Sequence, residues 1–134
     1  MAANPESIDT NIILRAILND IPEQCQKARK LLSRPNSSLH VSDLAIAETV
    51  FVLEKCLCYN RDTIAKVLNL FLSTPSLNYN AGLFTNVFPF YVEHPQLSFN
   101  DCCLAIYAAL NQAEPLLNFD RKLAFQSTTA KELI

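Results

Sequence analysis

A single glycine, Gly82, in 134 residues is the feature that most narrows what this chain can become. Dinucleotide and nucleotide folds need several glycines for tight turns and for close approach of backbone to phosphate, so neither a P-loop nor a Rossmann fingerprint can be built. The Asn-Gly and Asp-Gly pairs that signal hairpins are absent as well. What remains is short strands alternating with helices. That pattern points to an α/β fold, a three-layer sandwich with a short, mostly parallel central sheet flanked by helices. In such sheets, sites form outside the carboxyl ends of strands, near where strand order reverses.

Taken in order, residues 8–19 begin as a strand end and pass into an apolar helix. Pro22 starts a polar helix over 23–33, with Glu23 and Lys27 in i,i+4 support, and a loop follows at 34–37. Residues 39–41 read as a short buried strand, and Ser42 caps a long helix over 43–58. Residues 60–63 are a break and restart before a shorter helix over 64–72, after which 77–79 is a weak strand candidate. Residues 81–93 keep helical spacing, with Pro89 expected to kink or split the element near Thr85. Ser98 caps a helix over 99–112, residues 116–119 form a strand, and a short helix at 121–125 and an edge strand near 128–130 close the chain. At this length, with half its residues hydrophobic, the chain is expected to form one domain over 1–134.

Composition excludes several functions. With a net charge of -2 and a pI near 5.6, any contact with nucleic acid must come from a local basic patch. The dense cluster Lys27, Arg29, Lys30 and Arg34 is better explained as a solvated helix face than as a phosphate contact. Five cysteines at 25, 56, 58, 102 and 103, odd in number and set among apolar residues, favour reduced, buried thiols over a disulfide framework. Neither Cys56-Leu57-Cys58 nor Cys102-Cys103 has Cys-x-x-Cys spacing, and His40 and His94 are isolated, so core packing is preferred to a metal-thiolate site. The first residues carry no basic or apolar leader, and the apolar runs are cut by Glu48, Glu54 or Pro89. A cytoplasmic protein with no membrane contact is expected.

Most of the 13 acids have an ordinary explanation: Glu23 faces Lys27, Asp62 faces Lys66, and Asp43 stands in a first helical turn. Four fit less easily. Glu48 has Leu44, Ala45, Phe51 and Val52 as helical neighbours, so no intrahelical cation offsets its charge. An unpaired carboxylate near a core costs several kcal/mol unless something neutralises it. Asp101 follows Ser98 at capping-box spacing, Asp9 can cap a helix, and Asp120 can be a first-turn acid, so each has a structural alternative. As a set, Asp9, Glu48, Asp101 and Asp120 supply the oxygen ligands that Mg²⁺ or Mn²⁺ prefers.

These residues fall in four segments: Ile-Asp-Thr-Asn at 8–11, Ala-Glu-Thr-Val-Phe-Val-Leu at 47–53, Phe-Asn-Asp-Cys-Cys-Leu-Ala at 99–105, and Leu-Leu-Asn-Phe-Asp-Arg-Lys-Leu at 116–123. In that order the chain resembles the PIN domain, a metal-dependent ribonuclease fold, with each acid standing where the family places a metal ligand. Its size is most similar to the toxin of a VapC-type toxin-antitoxin pair. Two departures stand out. Asn118 replaces the Thr or Ser that many members carry, and Lys122 stands where some carry a further acid.

The resemblance implies a metal-dependent endoribonuclease that hydrolyses RNA phosphodiester bonds, with Asp9, Glu48, Asp101 and Asp120 as catalytic metal ligands for Mg²⁺ or Mn²⁺. Such an ion lowers the pKa of a bound water and neutralises charge on the scissile phosphate. Thr10 and Asn11 are expected to orient the first carboxylate, Asn118 to lie beside the last, and Arg15, Arg121 and Lys122 to steer the RNA backbone. An antitoxin protein as partner and homodimerisation are also implied. The apolar residues Phe51, Val52, Leu57, Tyr59, Leu70 and Phe71 are compatible with a groove for a partner helix or with core packing. The alternatives are a non-catalytic PIN-like module that binds RNA or protein, and a nuclease of the same fold outside toxin-antitoxin systems.

Overall fold

Capping residues and prolines cut the chain into short elements. The computed structural model describes residues 4–120, 123 and 130–133, and the chain divides into two compact units, Met1–Asn80 and Ala81–Ile134. The fold is α/β, with six α-helices among the described residues and a short parallel sheet.

In the first unit, β1 (Glu6–Ile8), β2 (Leu39–Val41) and β3 (Leu77–Asn78) pair in that order, all parallel. Parallel neighbours need helical crossovers. Here α1 (Thr10–Ile17) and α2 (Pro22–Leu32) connect β1 to β2, while α3 (Asp43–Phe51) and α4 (Arg61–Leu72) connect β2 to β3. Ser42 accepts from the Ala45 amide at 3.0 Å and Asn60 from the Thr63 amide at 2.8 Å, so both helices start on side-chain caps. Ile13, Leu39, Ile46, Val50, Leu53, Ile64 and Leu68 are buried, each worth about 1.5–3 kcal/mol relative to exposure.

The long helix predicted over 43–58 has the right start and a different ending. Past Phe51 it turns into a π-helical segment, Val52–Cys56, in which the Leu57 amide bonds to the Val52 carbonyl at 3.0 Å, five residues back. Cys58 follows with φ 59°, in the left-handed region. Glu54, between Lys55 at 3.5 Å and Arg61 at 3.7 Å, ties this segment to α4. Because Asn60 is a cap, α4 begins at Arg61 rather than at residue 64.

In the second unit, α5 (Ala81–Glu93) and α6 (Phe99–Leu110) pack through aromatic residues. The Phe99 ring lies 5.1 Å from Tyr91 edge to face, 5.5 Å from Phe88 and 6.2 Å from Phe84. Of the kink or split expected from Pro89, the split does not occur, and α5 runs unbroken through it. Leu83, Phe84, Val87, Phe88 and Tyr91 are all buried from this helix, and their packing outweighs the one backbone hydrogen bond that proline removes. The end of α6 is a Schellman turn: Ala113 N–H bonds to the Ala108 carbonyl at 2.9 Å and Gln112 N–H to Ala109 at 3.1 Å, with Gln112 at φ 53°.

Strands β4 (Leu116–Asn118) and β5 (Ala130–Glu132) then pair in parallel, Leu116 opposite Ala130. The three-stranded parallel sheet belongs to the first unit and the β4–β5 pair to the second. Single-strand apolar patterns specify that a segment is extended but not which partner it takes. Apart from Leu123, the helix predicted at 121–125 lies outside the described residues, as does most of the edge strand predicted at 128–130. Cys25 and Cys102 are buried as expected and Cys103 is half-buried, but Cys56 and Cys58, at the end of the π-helical segment and just past it, are exposed. Among the described residues no helix is long and apolar enough to cross a membrane.

Candidate functional site

Asp9 directly follows β1, at the carboxyl end of the three-stranded sheet, and it is the N-cap of α1. Its Oδ1 accepts from the Ile12 amide at 3.0 Å. The structural role weighed from sequence is therefore real, and it occupies one oxygen; Oδ2 has no hydrogen-bond partner among the described residues. Asp9 itself is exposed.

Thr10, the next residue, donates its Oγ1 hydroxyl to Glu48 Oε2 at 3.0 Å, joining α1 to α3. Thr10 was expected to orient Asp9, and its partner is instead the second acid. This hydrogen bond ties the Asp9 turn to Glu48, two acids 39 positions apart in sequence. Asn11 is exposed, with no side-chain hydrogen bond among the described residues. The sequence argument for Glu48 also needs correction, since the residue is exposed rather than set beside the core. The phase of α3 explains this: Ala45, Ile46, Thr49 and Val50 point inward, and Leu44, Glu48 and Phe51 outward. Exposure to water lowers the cost of its charge, so burial alone does not call for an ion there.

Asp101 stands in the first turn of α6, between buried Phe99 and buried Cys102. Only half of the capping box forms. Ser98 Oγ accepts from the Asp101 amide at 3.0 Å, while the Asp101 carboxylate does not reach back to the Ser98 amide. The half-exposed carboxylate makes no hydrogen bond or ion pair with any described residue.

Asp120 follows β4 after one residue and is exposed. Its Oδ1 accepts from the Leu123 amide at 3.4 Å, so it serves the start of a turn. Asn118 holds it there. The Asn118 Oδ1 accepts from the Asp120 amide at 2.8 Å, and its Nδ2 donates to the Leu116 carbonyl at 3.0 Å and the Lys131 carbonyl at 3.1 Å. One amide side chain thus joins β4, β5 and the Asp120 backbone. A Thr or Ser hydroxyl has a single proton to donate and could not make both Nδ2 bonds.

The donor set fits a hard divalent cation. All four candidate ligands are carboxylates, and such ions are commonly held by one or two carboxylates plus water. Among the described residues none of Asp9, Glu48 and Asp101 pairs with arginine or lysine. Asp9 and Glu48 belong to the first unit and Asp101 and Asp120 to the second, and among the described residues no group of three or more His, Cys, Asp or Glu is gathered to hold a metal ion.

The expected cations are placed differently. Arg15 is bound to Asp20 at 3.1 Å with 17% of its side chain exposed, so its charge is already engaged inside the first unit. Arg121 and Lys122 lie outside the described residues. An open hollow of about 330 Å³ near Arg34, Asn36, Pro75 and Ser76 adjoins the amino ends of β2 and β3, away from Asp9, and its Arg34 already bonds Glu6 and Ser37. Of the residues proposed for a partner groove, Phe71 is core, Val52 and Tyr59 are half-buried, and Phe51, Leu57 and Leu70 are exposed.

Sequence reasoning missed the Thr10–Glu48 bond and the threefold role of Asn118. The first depends on strand register, since Ile8 lies opposite Val41 and the two chains leave the sheet side by side at Asp9 and Ser42. No local pattern encodes that alignment. The PIN domain family profile matches residues 7–129 of the chain. No curated protein sequence matches it.

Proposed function

Because this chain belongs to the PIN domain family, whose members are generally nucleases and usually use divalent metals such as Mg²⁺, we propose that it is a metal-dependent endoribonuclease. In this proposal Asp9, Glu48, Asp101 and Asp120 hold Mg²⁺ or Mn²⁺. The bound cation supplies the positive charge that offsets the scissile phosphate and activates water. Thr10 fixes the direction of the Glu48 carboxylate, the α1 cap fixes Asp9 through one oxygen, and Asn118 fixes the backbone at Asp120. Arg121 and Lys122, which follow Asp120 in sequence, steer the RNA backbone. The observation that supports the reading most is the Thr10 to Glu48 hydrogen bond, since it ties the first two acids of the family pattern together across distant sequence.

The protein acts, in this proposal, as the toxin of a toxin-antitoxin pair, with an antitoxin protein as partner and a homodimer as its working form. Co-purification with mass spectrometry of any small bound protein tests that part. Asp101→Asn is expected to abolish Mg²⁺- or Mn²⁺-dependent cleavage of RNA with the fold retained, because the Asp101 carboxylate bonds to nothing described. Equal cleavage by wild type and variant refutes the assignment. The departures from the family pattern at Asn118 and Lys122 favour one other reading, a PIN-like module that binds RNA or protein without turnover. Calorimetric titration with Mn²⁺ separates the two, since the module shows no saturable binding.

A further inference from the structure

Between Glu23 and Asp43 the chain carries four cations, Lys27, Arg29, Lys30 and Arg34, and no acid, although its net charge is -2. From sequence alone the cluster reads as a solvated helix face. The structure adds how little of that charge is neutralised. Cys25 and Ala28 turn inward from α2, which leaves Lys27 and Lys30, three residues apart, side by side on its exposed face. Lys30 makes no ion pair or hydrogen bond with any described residue, and the Arg29 side chain bonds only the Leu18 carbonyl among them, at 3.4 Å. Lys27 faces Glu23 at 3.8 Å with 78% and 83% of the two side chains exposed, so the pair offsets little of its charge.

Arg34 marks the end of the patch. Its Nη2 bonds Glu6 and its Nε donates to Ser37 Oγ at 2.9 Å, which fixes the guanidinium at the amino end of β1 with further N–H donors to spare. Glu6 lies three residues before Asp9, a strand rise of about 10 Å. The other described cations form no such group. Arg15 is bound to Asp20, and Lys55 and Arg61 to Glu54, while Lys66 and Lys131 have no other cation within four residues in sequence.

We infer that Lys27, Arg29, Lys30 and Arg34 form a second contact for the RNA backbone, ending about one strand length from Asp9; this rests on the nuclease proposal above. An RNA long enough to be cleaved carries phosphates beyond the scissile one, and the acids that hold the metal repel them. Affinity for the rest of the strand has to come from cations placed elsewhere, each of which releases counterions from the RNA as it binds. Contacts of this kind position the strand and read no bases. An acidic protein segment is the competing occupant of the patch, and it differs in a measurable way: it leaves the affinity for RNA independent of these lysines.

The test uses the full chain and two single-stranded RNA oligonucleotides of equal length and unrelated sequence, with Ca²⁺ held constant and KCl varied. The double variant Lys27→Gln/Lys30→Gln is expected to weaken binding of both RNAs by about 15-fold near 0.15 M salt, and to lower the slope of log affinity against log salt by about 1.4, or about 0.7 for each cation removed. Lys30→Arg, and Lys66→Gln on α4, are expected to bind like wild type. Melting curves should match wild type throughout, since these side chains are exposed. Wild-type affinity and slope in the double variant would overturn the inference and leave the patch to an acidic protein. A loss confined to one of the two RNAs, or an equal loss in Lys66→Gln, would overturn it as well, the first because a backbone contact reads no bases and the second because net charge alone would then account for it. A wild-type chain that neither binds nor cleaves RNA would overturn the nuclease proposal, and the role of the patch with it.

Discussion

Replacing Thr10 by valine removes one hydroxyl and keeps the β-branched shape at the first position of α1. The lost hydrogen bond to Glu48 is 3.0 Å long and solvent-accessible, so water replaces much of it. The expected cost in stability is about 0.5–1 kcal/mol, or a fall of about 3–5 °C or less in Tm for a domain of this size. The effect on metal should be larger. A carboxylate freed from the partner that orients it binds metal about 10- to 100-fold less tightly, equivalent to about 1.4–2.7 kcal/mol. Calorimetric titration of wild type, Thr10→Val and Thr10→Ser with Mn²⁺, beside thermal melts of each, separates the two quantities. Thr10→Ser should regain most of the affinity. If Thr10→Val binds Mn²⁺ within about twofold of wild type while Tm falls, the hydroxyl serves only to join α1 to α3, and Glu48 is not a ligand.

Three further outcomes are expected. Gln112→Gly, at the left-handed turn after α6, should raise stability by about 1 kcal/mol, visible as a higher Tm; no gain would mean that the turn carries no strain. Gly82→Ala should stabilise α5 by about 0.5–1 kcal/mol in the same assay, because an added Cβ meets nothing within 4 Å, and a loss would show that this glycine serves a purpose beyond its helix. Asn118→Ala removes three hydrogen bonds and should cost about 1–3 kcal/mol, with faster amide exchange at Asp120 as the local sign.

Local chemistry made much of the fold legible. Ser42 and Ser98 announced α3 and α6, Pro22 opened α2 as expected, a buried apolar pattern located β2, and the apolar run at 116–119 located β4 although no residue of that strand is buried. The features that stayed hidden depend on something outside the local window. Which strands pair is a choice of partner, and the π-helical segment at Val52–Cys56 reflects tertiary demands on Leu53, Glu54 and Arg61. Pro89 was given too much weight because the five buried side chains of α5 act together. For the candidate site, the sequence reading misjudged the surroundings of Glu48. Glu48 looked buried only because its neighbours are apolar, and helix phase puts it in water.

Asp9 combines two duties in one side chain, capping α1 through a single oxygen while the other faces solvent. Asparagine caps a helix about as well as aspartate, through a neutral carbonyl oxygen. A single-nucleotide transition in the aspartate codon would therefore remove the negative charge and leave the helix start intact. Under the proposed nuclease function, such a change would silence catalysis by a route that selection on folding alone does not close, and position 9 would distinguish working copies from retired ones.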